Sequence, residues 1–330
     1  IRPATAFSVR RVSSSSPDAA PSMKAGAEIT IAGVVPPVFI CVVIGTIWSS
    51  YLGLHVLSLL QFSLPLDLRD QQAAAKGNRQ LIMSQILIVL LLTCYGRAFL
   101  TAPGSVPDDP QWQLGTLNIP RTRELKGTGE RRHCKWCLKY KPDRCHHCRI
   151  CKTCVLRMDH HCPWILNCVG FRNHKYFFLL VLYSQLNCFY IVVTLAESVF
   201  DSLQQDMPSA NRFLLVLGLV LALIMGVLMT AFLLFHTWLM YRGMSTIEFC
   251  EKNVRDQSGE LERRGSFALS RADSYDRGLY ENICSVLGPQ PLLWLLPVCP
   301  PEGDGVNWPE LRDGAADPEW TAMPGRLFVY

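Results

Sequence analysis

The stretch FLLVLGLVLALIMGVLMTAFLLF, Phe213–Phe235, has no polar face, and this constrains the fold more than any other feature of the chain. About 20 apolar residues in a helix cross the roughly 30 Å of bilayer hydrocarbon. A helix apolar on every side has nothing to present to water. Four runs of this kind occur, near Ile29–Tyr51, Leu81–Leu100, Tyr176–Phe200 and Phe213–Met240. With 49% hydrophobic and only 18% charged residues, the 330-residue chain is also too poor in charge for an ordinary soluble protein. The expectation is an all-α integral membrane protein with four transmembrane helices.

Basic residues collect on the cytosolic side of membrane proteins. Arg121–Arg157 and Arg242–Arg277 are rich in Arg and Lys, whereas Gln61–Gln80 mixes Arg69, Lys76 and Arg79 with Asp67 and Asp70, and Asp201–Arg212 carries more acid than base. Both chain ends and the long central loop are therefore expected in the cytosol. The segments are a disordered N-terminal tail over 1–28, helices 1 and 2 with a short lumenal loop over 29–101, the loop domain over 102–175, helices 3 and 4 over 176–241, and a C-terminal tail over 242–330. Residues 1–28 are Ser-, Ala- and Pro-rich without the apolar core of a secretory signal. The chain opens on Ile1, and Met23 is a candidate natural start. In the tail, Pro289–Pro297 (PQPLLWLLP) suits a membrane surface, RRGS at Arg263–Ser266 suits a basophilic kinase, and Gly303–Tyr330 reads as mostly irregular. A net charge of +5 points to a basic, membrane-facing surface and not to nucleic acid.

Fourteen cysteines would suggest disulfides in a secreted chain, but eight of them fall within Cys134–Cys168, on the reducing side of this topology. Metal binding or catalysis is the better reading. The loop HCKWCLKYKPDRCHHCRICKTCVLRMDHHCPWILNC contains Cys-x-x-Cys pairs at Cys134/Cys137, Cys148/Cys151 and Cys151/Cys154. A two-residue spacer lets both thiolates of a pair reach one ion at about 2.3 Å. Few apolar residues are available here for a core, so metal bonds must supply folding energy. Two tetrahedral sites need eight ligands, and the Cys and His residues exceed that. Neighbours such as His147 and Cys148 point to opposite sides of an extended chain, which interleaves the sites. Spacing alone leaves the remaining assignment open.

The series from Cys134 to Phe177, through Lys-Pro-x-Arg, His-Cys, Asp159-His160-His161-Cys162 and Asn173, resembles the cysteine-rich domain of the DHHC protein S-acyltransferases. The resemblance implies a small cytosolic double-zinc domain between helices 2 and 3. One structural zinc would take Cys134, Cys137, His147 and Cys154, and the other Cys148, Cys151, His161 and Cys168. It leaves Cys162 as the nucleophile, His160 as its base and Asp159 as the acid that fixes the imidazole. Without the resemblance, Asp-His-His-Cys could equally be zinc ligands with their supporting shell. STIE, Ser245–Glu248, stands where the family has Thr-Thr-x-Glu, with Thr246 bracing the site, and YDRGLYENICSVLG contains Asn282 at the family's aromatic-Asn motif. Ala102 replaces the Asp of the family's Asp-Pro-Gly. Cys145 stands where the family more often has a small residue, and is expected to be inert.

The implied reaction passes a long-chain acyl group from acyl-CoA, the co-substrate, through Cys162 to cysteines of membrane-associated proteins. Phe177 and Phe178 would line the acyl groove, Lys141 and Arg144 would meet the CoA phosphates, and Ser184, Gln185 and Asn187 would join helices or cap the groove. The expected location is the Golgi, the endoplasmic reticulum or the plasma membrane. The rival reading is a non-catalytic membrane adaptor that keeps the zinc fold to bind partners. A nucleic-acid binder is disfavoured, since no finger helix follows the ligands.

Overall fold

The structure, a computed structural model, describes residues 31–116, 122–126, 130–204, 206–258, 275–299 and 301–308. The stretch 1–28 with Met23, the site Arg263–Ser266 and the chain beyond Trp308 lie outside the described residues. Four helical spans are long and apolar enough to cross a membrane: Gly33–Leu60, Gln71–Leu100, His174–Gln204 and Ser209–Tyr241. The first comprises α1 (Ile31–Ser50), a π-helical turn over Tyr51–Val56 and α2 (Leu57–Leu60); the others are α3 (Gln71–Leu100), α4 (His174–Gln204) and α5 (Ser209–Tyr241). Thirty residues at 1.5 Å each make about 45 Å of helix, longer than the hydrocarbon, so the ends project.

The projecting turns are where the helices differ from the apolar runs. α3 starts ten residues before Leu81, because Asp70 accepts hydrogen bonds from the backbone N–H of Gln72 and Ala73 and caps a polar first third. Half of the expected connection Gln61–Gln80 is therefore helix. α4 packs between α3 and α5, and α1 lies against α5. Val38, Val42, Ile86, Val89, Val193, Val227 and Leu234 point outward and exposed. Such a surface suits lipid and not water. Inside, Asn187 donates to the carbonyls of Leu87 and Tyr183, joining α3 to α4 as expected of an intramembrane amide.

Between α3 and α4 lie three two-stranded antiparallel hairpins: β1–β2 (His133–Cys134, Lys139–Tyr140), β3–β4 (His146–Cys148, Thr153–Val155) and β5–β6 (His160–Cys162, Asn167–Val169). The domain is fixed to the bundle by two amides. Asn167 donates to the carbonyls of Ala98, Phe99 and Thr101, and Asn173 to those of Cys168 and Thr101, so the last turn of α3 gains the partners its helix cannot give. Gly170 makes this approach possible, since a Cβ there would sit 2.6 Å from Val155 Cγ1 and 2.9 Å from two carbonyl oxygens.

After α5 the chain forms α6 (Thr246–Ser258) and α7 (Leu279–Leu287) and returns across the zinc-type domain to Trp308. Lys175 is fully buried at the head of α4 and donates to the carbonyls of Leu293 and Val298, holding this returning segment. Leu292, Leu295 and Leu296 of the same segment are exposed.

Candidate active site and metal clusters

The hairpins share one backbone. The first strand of each ends on His-Cys, and these recur every 14 residues as His133-Cys134, His147-Cys148 and His161-Cys162. Each turn ends on a residue in the left-handed region, Leu138 at φ 52°, Lys152 at 51° and Leu166 at 47°. In the first two turns the backbone N–H of Cys137 and Cys151 donates to the sulfur of Cys134 and Cys148.

Strand alternation then sorts the side chains. The Cys134/Cys137 turn faces His147 and Cys154, which pair across β3–β4; the Cys148/Cys151 turn faces His161 and Cys168, which pair across β5–β6. The eight residues assigned to zinc from the sequence thus come together in two clusters of four. Sulfur to Nδ1 distances are 3.4–3.8 Å in the first and 3.4–3.7 Å in the second. A tetrahedron with bonds of about 2.3 Å to sulfur and about 2.0 Å to nitrogen has such edges of about 3.5 Å, so the donor sets fit zinc.

The third turn breaks the pattern. Ile165 stands where the second cysteine would, and among the described residues no fourth hairpin follows to supply another His and Cys. Cys162 is left outside both clusters, in a metal-binding turn without a metal set. Cys145 also stays outside the clusters, fully buried with its carbonyl accepting from Arg132.

His160 and Cys162, two apart on β5, both line an apolar cavity of about 530 Å³ between α1, α3, α4 and α5. Phe177 lines it as well, its ring edge-on to His160 at 5.0 Å. Ser184 and Asn187 lie further along the wall. Phe178 faces another core, with Met240, Val286 and Leu287. Asp159 is fully buried, and its Oδ2 accepts from His160 Nδ1 at 2.7 Å. A buried carboxylate only accepts, so Nδ1 carries a proton and Nε2 is the nitrogen turned away from Asp159. Thr246, at the start of α6, donates its backbone N–H to Oδ1 and its hydroxyl to Oδ2, both at 2.8 Å. Burial would raise the Asp159 pKa, but the bond from His160 and the nearby His174 and His236 hold it below the usual carboxylate range. Burial likewise opposes charge on His160, yet Asp159 and Cys162 lift its pKa to about 9.

Asn282 does not reach this row. It donates to the carbonyl of Tyr241 and to Asp276 and accepts from the N–H of Arg277, fastening α7 to the end of α5. Gly243, at φ +63°, permits the contact, since a Cβ would lie 2.9 Å from Asn282 Oδ1. Lys141 stands with Lys135, His146 and Arg149 around a polar cavity beside the first cluster.

Arg144 corrects an expectation. Instead of facing solvent for a phosphate, it is 3% exposed, paired to Glu248 through Nε at 2.6 Å and Nη2 at 2.8 Å, with Nη2 also donating to the carbonyl of Gly243. Tyr275 and Trp308 cover the guanidinium, whose carbon lies 4.5 and 4.7 Å from their ring centres. A surface phosphate contact is incompatible with that burial. The Glu of STIE is thus the partner of Arg144, and the same Glu248 accepts from the Ser245 N–H to shape the turn that presents Thr246. The sequence gives no spacing signal for His174, which sits between Asn173 and Lys175 at the head of α4, or for His236, which is isolated in an apolar run.

These features place the chain among helical membrane proteins that carry a cysteine-rich domain on the bundle. The family model for DHHC palmitoyltransferase matches residues 127–253. Probable protein S-acyltransferase 16 of Arabidopsis thaliana is 32% identical over 268 residues, 79% of this chain and 92% of that protein. Palmitoyltransferase ZDHHC20-B of Danio rerio is 30% identical over 310 residues, covering 86% of this chain and 85% of the relative. Human palmitoyltransferase ZDHHC15 is 37% identical over 185 residues, 56% and 51% of the two chains. The chain belongs to the DHHC palmitoyltransferase family.

Proposed function

We propose that the protein is a protein S-palmitoyltransferase that takes a long-chain acyl group from acyl-CoA onto Cys162 and passes it to a cysteine of a membrane-associated protein. The observation that carries this is the place of Cys162, a thiol outside both metal clusters, beside an Asp159–His160 pair and at an apolar cavity framed by membrane helices.

In the first step the Cys162 thiol gives its proton to His160 Nε2, and Sγ attacks the thioester carbonyl. The bond from the acyl carbon to the CoA sulfur breaks, and the departing thiolate takes the proton from His160. In the second step an acceptor thiol gives its proton to His160 and its sulfur displaces Cys162, which recovers that proton. Thioester exchange is near neutral in free energy, so the protein supplies orientation and a placed proton acceptor. Asp159 and Thr246 hold the imidazole in the tautomer this needs. Two bound zinc ions would supply folding energy to the domain, with every coordination position filled by protein. Lys141, with Lys135 and Arg149, is proposed for the CoA phosphates. The basic loop and tail orient the domain and both chain ends to the cytosol, on an endomembrane or the plasma membrane.

Purified protein incubated with palmitoyl-CoA should acquire a label that neutral hydroxylamine removes. Cys162→Ser should take up none while keeping two zinc equivalents, and His160→Ala should label about 10²–10⁴-fold more slowly, with Asp159→Asn also impaired. Unchanged labelling of zinc-loaded Cys162→Ser would remove Cys162 from the reaction, and an unlabelled wild type would favour an adaptor.

A further inference from the structure

Asp159 has more polar neighbours than orienting one imidazole requires. A carboxylate oxygen of Asp159 and one ring nitrogen each of His174 and His236 lie within 4.8 Å of one another, and all three residues are buried. His174 Nδ1 is buried with no hydrogen-bond partner. His236, on α5, is also part of the wall around His160: the two rings are 6.0 Å apart, and His236 lies 5.1 Å from Phe177 and 4.5 Å from Phe232. Phe177 and Phe232 both line the apolar cavity.

Phe232, Phe235 and Phe177 surround position 236, so another Phe there would satisfy packing alone. An imidazole in such a place costs desolvation unless its nitrogen has a polar partner. Asp159 accepts three hydrogen bonds, two on Oδ2 and one on Oδ1, and a carboxylate accommodates about four. One acceptor direction on Oδ1 therefore remains, on the carboxylate that His174 and His236 approach. A zinc ion would need donor atoms about 2.0 Å from it and would draw Asp159 away from His160. A hydrogen-bonded link retains all three bonds already made.

We propose that His236 is a positioning residue for acyl transfer. Its polar edge shares the remaining acceptor capacity of Asp159 with His174, and its ring braces His160 against Phe177. The assignment rests on the acyl-transfer reading of Cys162. α5 thereby fixes the imidazole from the membrane side while Thr246 fixes the carboxylate from the domain side.

The test is the rate of hydroxylamine-sensitive labelling of full-length protein across palmitoyl-CoA concentrations, with zinc content and melting temperature as controls. His236→Phe preserves the aromatic wall and should lower the saturated rate about tenfold or more, with the half-saturating concentration within about twofold of wild type. His236→Gln restores a polar edge and should recover much of that loss. If His236→Phe fails the controls, His236→Leu serves in its place. An unaffected saturated rate, or a rise in half-saturating concentration alone, would make His236 only a cavity wall and overturn the assignment. Equal slowing by Phe and Gln would also overturn it, and so would the loss of a third zinc equivalent. A wild type that takes up no label overturns the transferase reading and this assignment together, whereas a labelled wild type with an unaffected His236→Phe overturns the assignment alone.

Discussion

Arg144 and Glu248 show how a residue distant from the cavity shapes it. Their carboxylate–guanidinium pair is 3% exposed on each side and is covered by Tyr275 and Trp308. Glu248 also accepts from Ser245 N–H, one residue before the Thr246 that holds Asp159. Removing one partner of a buried pair leaves the other charge without compensation, at about 3–5 kcal/mol. Arg144→Met and Glu248→Met should each lower the melting temperature strongly in detergent. The double variant should recover a large part of the loss, because neither charge is then stranded. Single variants no less stable than wild type would show that the pair is screened by solvent.

At the scale of the element, the repeating hairpin explains why the metal clusters stand or fall together. The β3–β4 hairpin gives His147 and Cys154 to the first cluster and Cys148 and Cys151 to the second. Its strands are three residues long and carry little apolar surface of their own. Bound metal ions would replace the core that such short strands lack. Gly170 is the point where this array meets the chain leaving α3, and a side chain there collides with buried Val155 and with the backbone carbonyls of Leu156 and Pro103. Gly170→Ala should therefore lower zinc content and raise protease sensitivity of the loop, with the far-ultraviolet helical signal of the bundle largely retained. A variant with two zinc equivalents and unchanged proteolysis would mean that the contact relaxes at little cost.

For the whole molecule, the projecting helix ends put the cysteine-rich domain, α6 and α7 at one end of the bundle, and the short connections after α2 and α4 at the other. At that far end buried His55 joins Ser198 and Gln80 inside the bundle, and Lys76 pairs with Glu197 on its surface. If the basic end is cytosolic, a glycosylation acceptor inserted after Leu64 should be modified in microsomes and one inserted after Pro107 should not. The reverse pattern would invert the topology.

The four spans and the interleaving of two clusters were legible in the sequence because each depends on spacing along the chain, whereas the full ligand sets and the spare thiol came from the resemblance to a family. About 20 apolar residues must cross a bilayer whatever they pack against, and alternation on a short strand decides which of two neighbouring ligands faces which ion. The 14-residue period was equally present, and it marks Cys162 as the member whose partner position holds Ile165. Basicity was legible in Arg144, but its surroundings were not. Burial beneath Tyr275 and Trp308 is created by a segment more than 130 residues away, and charge alone cannot distinguish a solvent-facing guanidinium from one locked to Glu248. His236 was hidden for the same reason. In its own helix it is one polar residue in an apolar run, and only the packing of α5 against α4 and β5 brings it beside Asp159. Local periodicity determined the spans and the interleaving of the clusters; the long-range contacts that surround the Asp159–His160 pair were decided by tertiary structure, because no short stretch contains both partners.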